Sequence, residues 1–250
     1  MWTALVLALS VAQIVLHVAG FPREDPSDVT LARDIPVATF STKSGKVRAI
    51  VDTGGVTISR RNDPRTFATY YRGLGIDAAV GADYLRTHVV RIGDTRGSPR
   101  RRIPLDVRTK RGLTAAFVSC MLGKHSYRLL LDTAALAWIK GQMEPRGVVL
   151  LAPSAFLRLM REENARPTTS YEIATESGSF TTARSFVSER IDCGAARTRS
   201  VVVVERTDPR TFAFMKKIFN LRVDGDAGLA AFSGTGVAFD FPGSTLAIWG

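Results

Sequence analysis

Apolar and polar residues alternate through "IPVATFSTKSGKVRAIVDTGGVTI", Ile35 to Ile58, in two strand-length runs joined by a Ser-Gly turn, which predicts an antiparallel pair. The second run meets Asp52 and then two glycines. "LLLDTAALAWI", Leu129 to Ile139, has the same shape, with Asp132 in the place of Asp52. A carboxylate inside such a run must be paired or protonated, because an unpaired buried charge is costly. "APSAFLRLMREEN", Ala152 to Asn164, has the apolar spacing of a helix, and "SYEIATESGSFTTARSFVSERI" alternates about Gly178 as a long hairpin would. "RSVVVVERT" adds a buried strand.

The pattern also repeats. "DPRTFA" occurs at Asp63 to Ala68 and again at Asp208 to Ala213, and in each copy the Asp is placed to cap a helix that begins with Pro. Each helix leads to an Asp-x-x-x-Gly segment, Asp77 to Gly81 and Asp224 to Gly228, and then to a closing strand. Asp77 and Asp224 are expected to be structural loop residues. The whole order occurs twice, which predicts a duplicated β-rich unit. Only the second copy carries the extra helix, hairpin and strand.

Composition changes this picture in three places. At 250 residues and 45% apolar content the chain is globular. Met1 to Gly20 is apolar and uncharged apart from His17, and is expected to be an export signal cut after Gly20 or an uncleaved membrane anchor; residues 21–34 follow as a flexible leader. The protein is then periplasmic or secreted, where Cys120 and Cys193 form either one disulfide or two separate thiols. The net charge of +11 is concentrated in part in "RGSPRRRIPLDVRTKR", Arg96 to Arg111. In an exported protein this points to an anionic envelope surface rather than nucleic acid, or to a solvated basic connector over 96–112 open to proteolytic cutting.

The sequence holds no serine elbow, zinc-ligand pair or phosphate loop, and His88 and His125 stand alone. What remains is the pair of Asp-Thr turns. Two carboxylates meeting across two equivalent turns share one proton and hold a water between them, one acting as base and the other as acid. Thr53 and Thr133 are suited to bond across the interface. Gly54, Gly55, Ala134 and Ala135 let backbone N–H groups approach the carboxylates.

On "VDTGG" and "LDTAA", on "AAVGADYL" and "DAGLAAF", and on the closing "GVAFDFPGSTLAIW", the chain resembles the aspartic peptidases, especially the bacterial retropepsin-like members. The resemblance spans most of the chain from Ile35 and is strongest from Ser126 to Gly250. It implies a mostly β, double-lobe β-barrel fold with short helices: a reduced lobe over 35–95 and a complete one over 113–250. It implies Asp52 and Asp132 as the catalytic dyad, Thr53, Gly54, Thr133 and Ala134 as loop support, and a flap of Tyr171, Ser177, Gly178 and Phe180 over a polypeptide substrate. No metal or organic cofactor is implied. "LDTAA" departs from the family in placing Ala134 where Gly is usual. Either both halves pair within one chain, or the complete half pairs with its copy in a homodimer. The rival expectation is a non-catalytic binding or scaffold protein of the cell envelope.

Overall fold

The computed structural model describes residues 29–32, 35–42, 45–69, 71, 74–139, 142–143, 148–167, 169–175, 179–189, 191–193, 200–208, 210–232 and 236–249. The expected export signal and most of the leader lie outside these residues, as do Ser177 and Gly178 of the expected flap.

The first half comprises β1 (Val29–Ala32), β2 (Ile35–Thr42), β3 (Gly45–Asp52), β4 (Ile58–Ser59), helix α1 (Pro64–Thr69), β5 (Ala78–Gly81) and helix α2 (Ala82–Leu85). Next come β6 (Val89–Gly93), β7 (Arg101–Pro104) and β8 (Asp106–Lys110). The second half continues with β9 (Leu113–Leu122), β10 (His125–Leu131), β11 (Trp138–Ile139), β12 (Gln142–Met143), β13 (Val149–Leu151) and helix α3 (Pro153–Glu162). Then follow β14 (Thr169–Ala174), β15 (Phe180–Ser188), β16 (Ile191–Asp192), β17 (Val201–Glu205), helix α4 (Arg210–Phe219), β18 (Gly225–Ala227), β19 (Gly236–Asp240) and β20 (Thr245–Trp249). The protein is therefore mostly β, with short helices.

Both halves contain the same strand arrangement. In the first, β2 pairs antiparallel with β3, β3 parallel with β5, and β5 antiparallel with β4. In the second, β9, β10, β18 and β13 repeat that order and those directions. The second half then departs. After Leu151 its chain runs through α3, the β14–β15 hairpin and β17 before α4 returns it to β18, whereas the first half crosses from β4 to β5 through α1.

In β3, Ala49, Ile50, Val51 and Asp52 are buried after an exposed start, because this end of the strand runs into the centre of the molecule. One apolar cluster passes through both halves, from Val51, Val80 and Leu85 to Leu129, Phe156 and Phe239. Its continuity makes the halves one packed body.

Three expectations are corrected. The basic stretch is not a loose connector: β7 pairs with β20, and β8 pairs with β9. Arg101 and Arg102 sit exposed on the edge strand of a sheet ordered β6-β19-β20-β7, while Trp249 Nε1 donates to Gly97 O at 3.0 Å. Val29–Ala32, expected in the leader, pairs with β2. None of the three sheets closes on itself among the described residues, so open sheets stand where barrels were expected.

Cys120 on β9 and Cys193 after β16 form a disulfide, the first of the two alternatives. Among the described residues no helix is long and apolar enough to cross a membrane.

Candidate active site

Each Asp-Thr turn begins where a strand with a parallel partner ends, and the two frames are built alike. Asp77 N–H donates to Arg48 O at 2.8 Å while its Oδ2 accepts Arg48 N–H at 3.2 Å. Asp224 does the same with Arg128 at 2.8 and 3.2 Å. These two carboxylates bracket the incoming strands, which is the structural role expected of them. Within the turns, Gly54 N–H donates to Asp52 Oδ1 at 3.1 Å and Ala134 N–H to Asp132 Oδ1 at 2.9 Å.

The threonines lock the frames together. Thr53 N–H donates to Thr133 Oγ1 at 3.1 Å, and Thr133 N–H donates to Thr53 Oγ1 at 3.0 Å. Each hydroxyl passes its own proton across, Thr53 to Leu131 O at 2.9 Å and Thr133 to Val51 O at 2.5 Å. All four bonds are buried, so losing either hydroxyl strands partners that water cannot reach.

Asp52 and Asp132 consequently come within hydrogen-bonding reach of each other. The turn residues allow it unequally. A Cβ on Gly54 would stand 2.7 Å from Asp132 Cγ, so this position has no room for a methyl. The opposite position holds Ala134 without backbone strain: among the described non-glycine residues, positive φ occurs only at Arg111, Asn164, Asn220 and Ser244.

The carboxylates form the floor of a cleft of about 440 Å³, walled by Ile58, Leu136, Ile173, Phe214 and Met215 among others. Their surroundings differ. Tyr71, buried against Phe67, donates its hydroxyl to Asp52 Oδ2 at 2.5 Å. Asp132 instead faces Asp226, whose Oδ2 is 3.0 Å from Arg206 Nη1.

Burial raises the pKa of Asp52 above the ordinary carboxylate range, opposed by hydrogen bonds from Tyr71 and the turn N–H groups. Burial also pushes Asp132 well up, reinforced by the charges of Asp52 and Asp226 and opposed by Arg206 and Ala134 N–H. A floor of this kind holds a proton where isolated carboxyls would have lost it.

The expected hairpin is present as β14–β15, with Thr175 N–H donating to Ser179 O at 2.8 Å. Of its expected contact residues Tyr171 and Phe180 are described, and neither is among the residues that line the cleft. Tyr171 is buried among Ala135, Val148 and Leu150, and Phe180 packs toward the cluster of Tyr71 and Leu136. Among the described residues of the hairpin, those on the cleft are Ile173 and Ala174, and strand alternation places Ile173 on the same sheet face as Tyr171.

His88 stacks on Tyr84 with ring centroids 4.4 Å apart, and His125 Nε2 lies 2.8 Å from Glu162. Neither lines the cleft. Tyr71, Arg206 and Asp226 escaped the sequence reading. For Asp226 a signal existed: with Asp224 set over Asp77, it falls on Ala79, a buried strand position.

Compared with protein-family models, curated proteins and solved structures, the chain matches none of them.

Proposed function

We propose that this protein is an aspartic endopeptidase that hydrolyses peptide bonds with a water held between Asp52 and Asp132. The observation that carries the reading is the reciprocal Thr53–Thr133 lock, which joins two Asp-Thr turns of one chain and brings their carboxylates together.

The chemistry follows from a floor that retains one proton. The ionised carboxylate takes a proton from the water as its oxygen attacks the peptide carbonyl carbon, and the protonated partner donates to the carbonyl oxygen. The resulting diol collapses: the nitrogen takes the proton from one carboxyl, the C–N bond breaks, a diol hydroxyl returns its proton to the other carboxylate as the C=O reforms, and an acid and an amine leave the dyad with its one proton. The two carboxyls supply both base and acid, so the step needs no metal or organic cofactor.

Further observations support the reading. The cleft is walled largely by apolar residues, suited to the side chains of a polypeptide, and residues of the hairpin line it. Ala134 keeps the N–H bond to Asp132, so the departure from the usual glycine costs the turn nothing. The two matched frames agree with a double-lobed aspartic-peptidase architecture in which one lobe is reduced. The disulfide favours an exported protein.

The test is cleavage of a mixed peptide library by the purified protein from acid to neutral pH, with the Asp132→Asn variant alongside. Sequence-selective cleavage that disappears in the variant supports the peptidase. Absence of cleavage by the unaltered protein at every pH would leave the binding or scaffold reading.

A further inference from the structure

Three groups beside the dyad break the symmetry of the two frames: buried Tyr71 on the Asp52 side, and buried Asp226 with partly buried Arg206 on the Asp132 side. Asp226 sits at the middle of β18, paired with Leu130 on β10 and Leu150 on β13. Paired residues share a sheet face, and Asp132 follows Leu130 by two positions, so Asp226 and Asp132 project to the same side. Both line the cleft. Asp226 is only 1% exposed, and a charge so buried must be compensated.

Arg206 provides that compensation from the segment after β17. Its N–H donates to Leu151 O at 2.8 Å, which fixes the backbone. Its Nη1 lies 3.0 Å from Asp226 Oδ2, its Nη2 donates to Thr211 Oγ1 at 3.0 Å, and its guanidinium lies over the Phe212 ring at 5.9 Å. The matching position of the first frame holds Ala79, paired with Ile50 and Ile58. Thus a methyl stands in one frame where a carboxylate stands in the other.

We propose that Asp226 and Arg206 are positioning residues for the dyad: Asp226 holds the shared proton on Asp132, Arg206 limits that bias, and Asp52 is left as the base. The proposal rests on the hydrolytic reading of the cleft. The charged or titratable groups facing Asp132 are Asp52 from the first turn, Asp226 from β18 and Arg206 from the β17 end; those facing Asp52 are Asp132 and Tyr71. A neighbouring carboxylate favours a protonated acid, whereas a guanidinium or a donated hydroxyl favours an ionised one. Asp132 has the carboxylate neighbour and Asp52 has the hydroxyl, so both sides direct the proton the same way.

The test is the pH profile of kcat/KM. Its alkaline limb reports loss of the proton from Asp132. Asp226→Asn is expected to move that limb to lower pH by about 1 unit, the scale of one close charge. The double variant Asp226→Asn, Arg206→Gln also removes the remaining cation, so its limb is expected to move part of the way back. Arg206→Lys keeps the charge and is expected to leave the limb within a few tenths of a unit, about the scatter of such fits.

A second readout separates this proposal from the peptidase reading. Carboxyl 13C NMR titration of Asp132, assigned with Asp132→Asn, is expected to show the same shifts even in protein that cleaves nothing. An Asp226→Asn protein that folds, loses rate at every pH and keeps both its limbs and its Asp132 titration in place would overturn the proposal.

Discussion

The two Asp-Thr frames agree in their backbone brackets and differ in what surrounds their carboxylates. Arg48 with Asp77 and Arg128 with Asp224 repeat the same pair of bonds at 2.8 and 3.2 Å, although far more chain separates Asp132 from Asp224 than Asp52 from Asp77. Inserting α3, the hairpin and β17 after Leu151 therefore left the bracket undisturbed. The differences lie in side chains: Gly54 against Ala134, Ala79 against Asp226, and Tyr71 on one side only. A duplicated frame sets where the carboxylates are; the unduplicated groups set which of them keeps the proton.

The largest effect should fall on the carboxylates themselves. Asp52→Asn and Asp132→Asn are each expected to lower kcat/KM by at least about 10³-fold, as measured on any peptide the unaltered protein cleaves. Since both frames contribute to one dyad, a variant that spared activity in only one frame would break the comparison.

Next comes the lock. Thr53→Val and Thr133→Val each remove a hydroxyl that accepts and donates in a buried place, and each is expected to cost about 3 kcal/mol in a denaturant titration. The Ser variants, which keep the hydroxyl, are expected to cost less than about 1 kcal/mol. Equal losses for Val and Ser would show that packing, rather than the reciprocal bonds, joins the frames.

Gly54 and Ala134 offer a sharper contrast. Gly54→Ala would place a methyl 2.7 Å from Asp132 Cγ and is expected to lower activity about 10²-fold through misplacement of the dyad. Ala134→Gly, which keeps the N–H donor, is expected to change it by less than about threefold, within the ordinary spread for uncritical sites.

Smaller still are the brackets. Asp77→Ala and Asp224→Ala are each expected to cost about 1 kcal/mol, and by similar amounts, since each removes one acceptor for an exposed arginine N–H. A clearly larger loss for Asp224 would mean that the insertion leans on its bracket.

The dyad also leaves a mark on stability. Both carboxyls have folded-state pKa values raised above the unfolded value, so between those limits the folded state binds more protons than the unfolded one. Stability is expected to fall as pH rises from the ordinary carboxylate range through the folded-state values. Asp132→Asn removes a share of that penalty, so its advantage in Tm over the unaltered protein should grow from acid to neutral pH.

Much of the frame was legible because it is written in local patterns. The Asp-Thr turns, the α3 helix, the hairpin and β17 follow from periodicity, and "DPRTFA" starts helices in both places. In the first copy Asp63 caps as expected, accepting Thr66 N–H at 3.0 Å; in the second, Asp208 accepts Arg210 N–H at 3.1 Å and also holds the Arg210 side chain. The groups that distinguish the frames were harder to see. Tyr71 reaches back across a helix to Asp52, and "DGDAG" looks like a turn although Gly225, Asp226 and Ala227 form a buried strand. The basic stretch misled for a related reason: its consecutive arginines are exposed on β7, and charged residues along an exposed edge strand look the same as a solvated linker.

The central claim is that two carboxylates from matched frames act as one catalytic unit. It is tested most directly by comparing peptide cleavage in Asp52→Asn, Asp132→Asn and the double variant. The account predicts that the double variant is no slower than either single one, because removing one member already disables the pair. Losses that multiply, or a single variant that retains full activity, would contradict it.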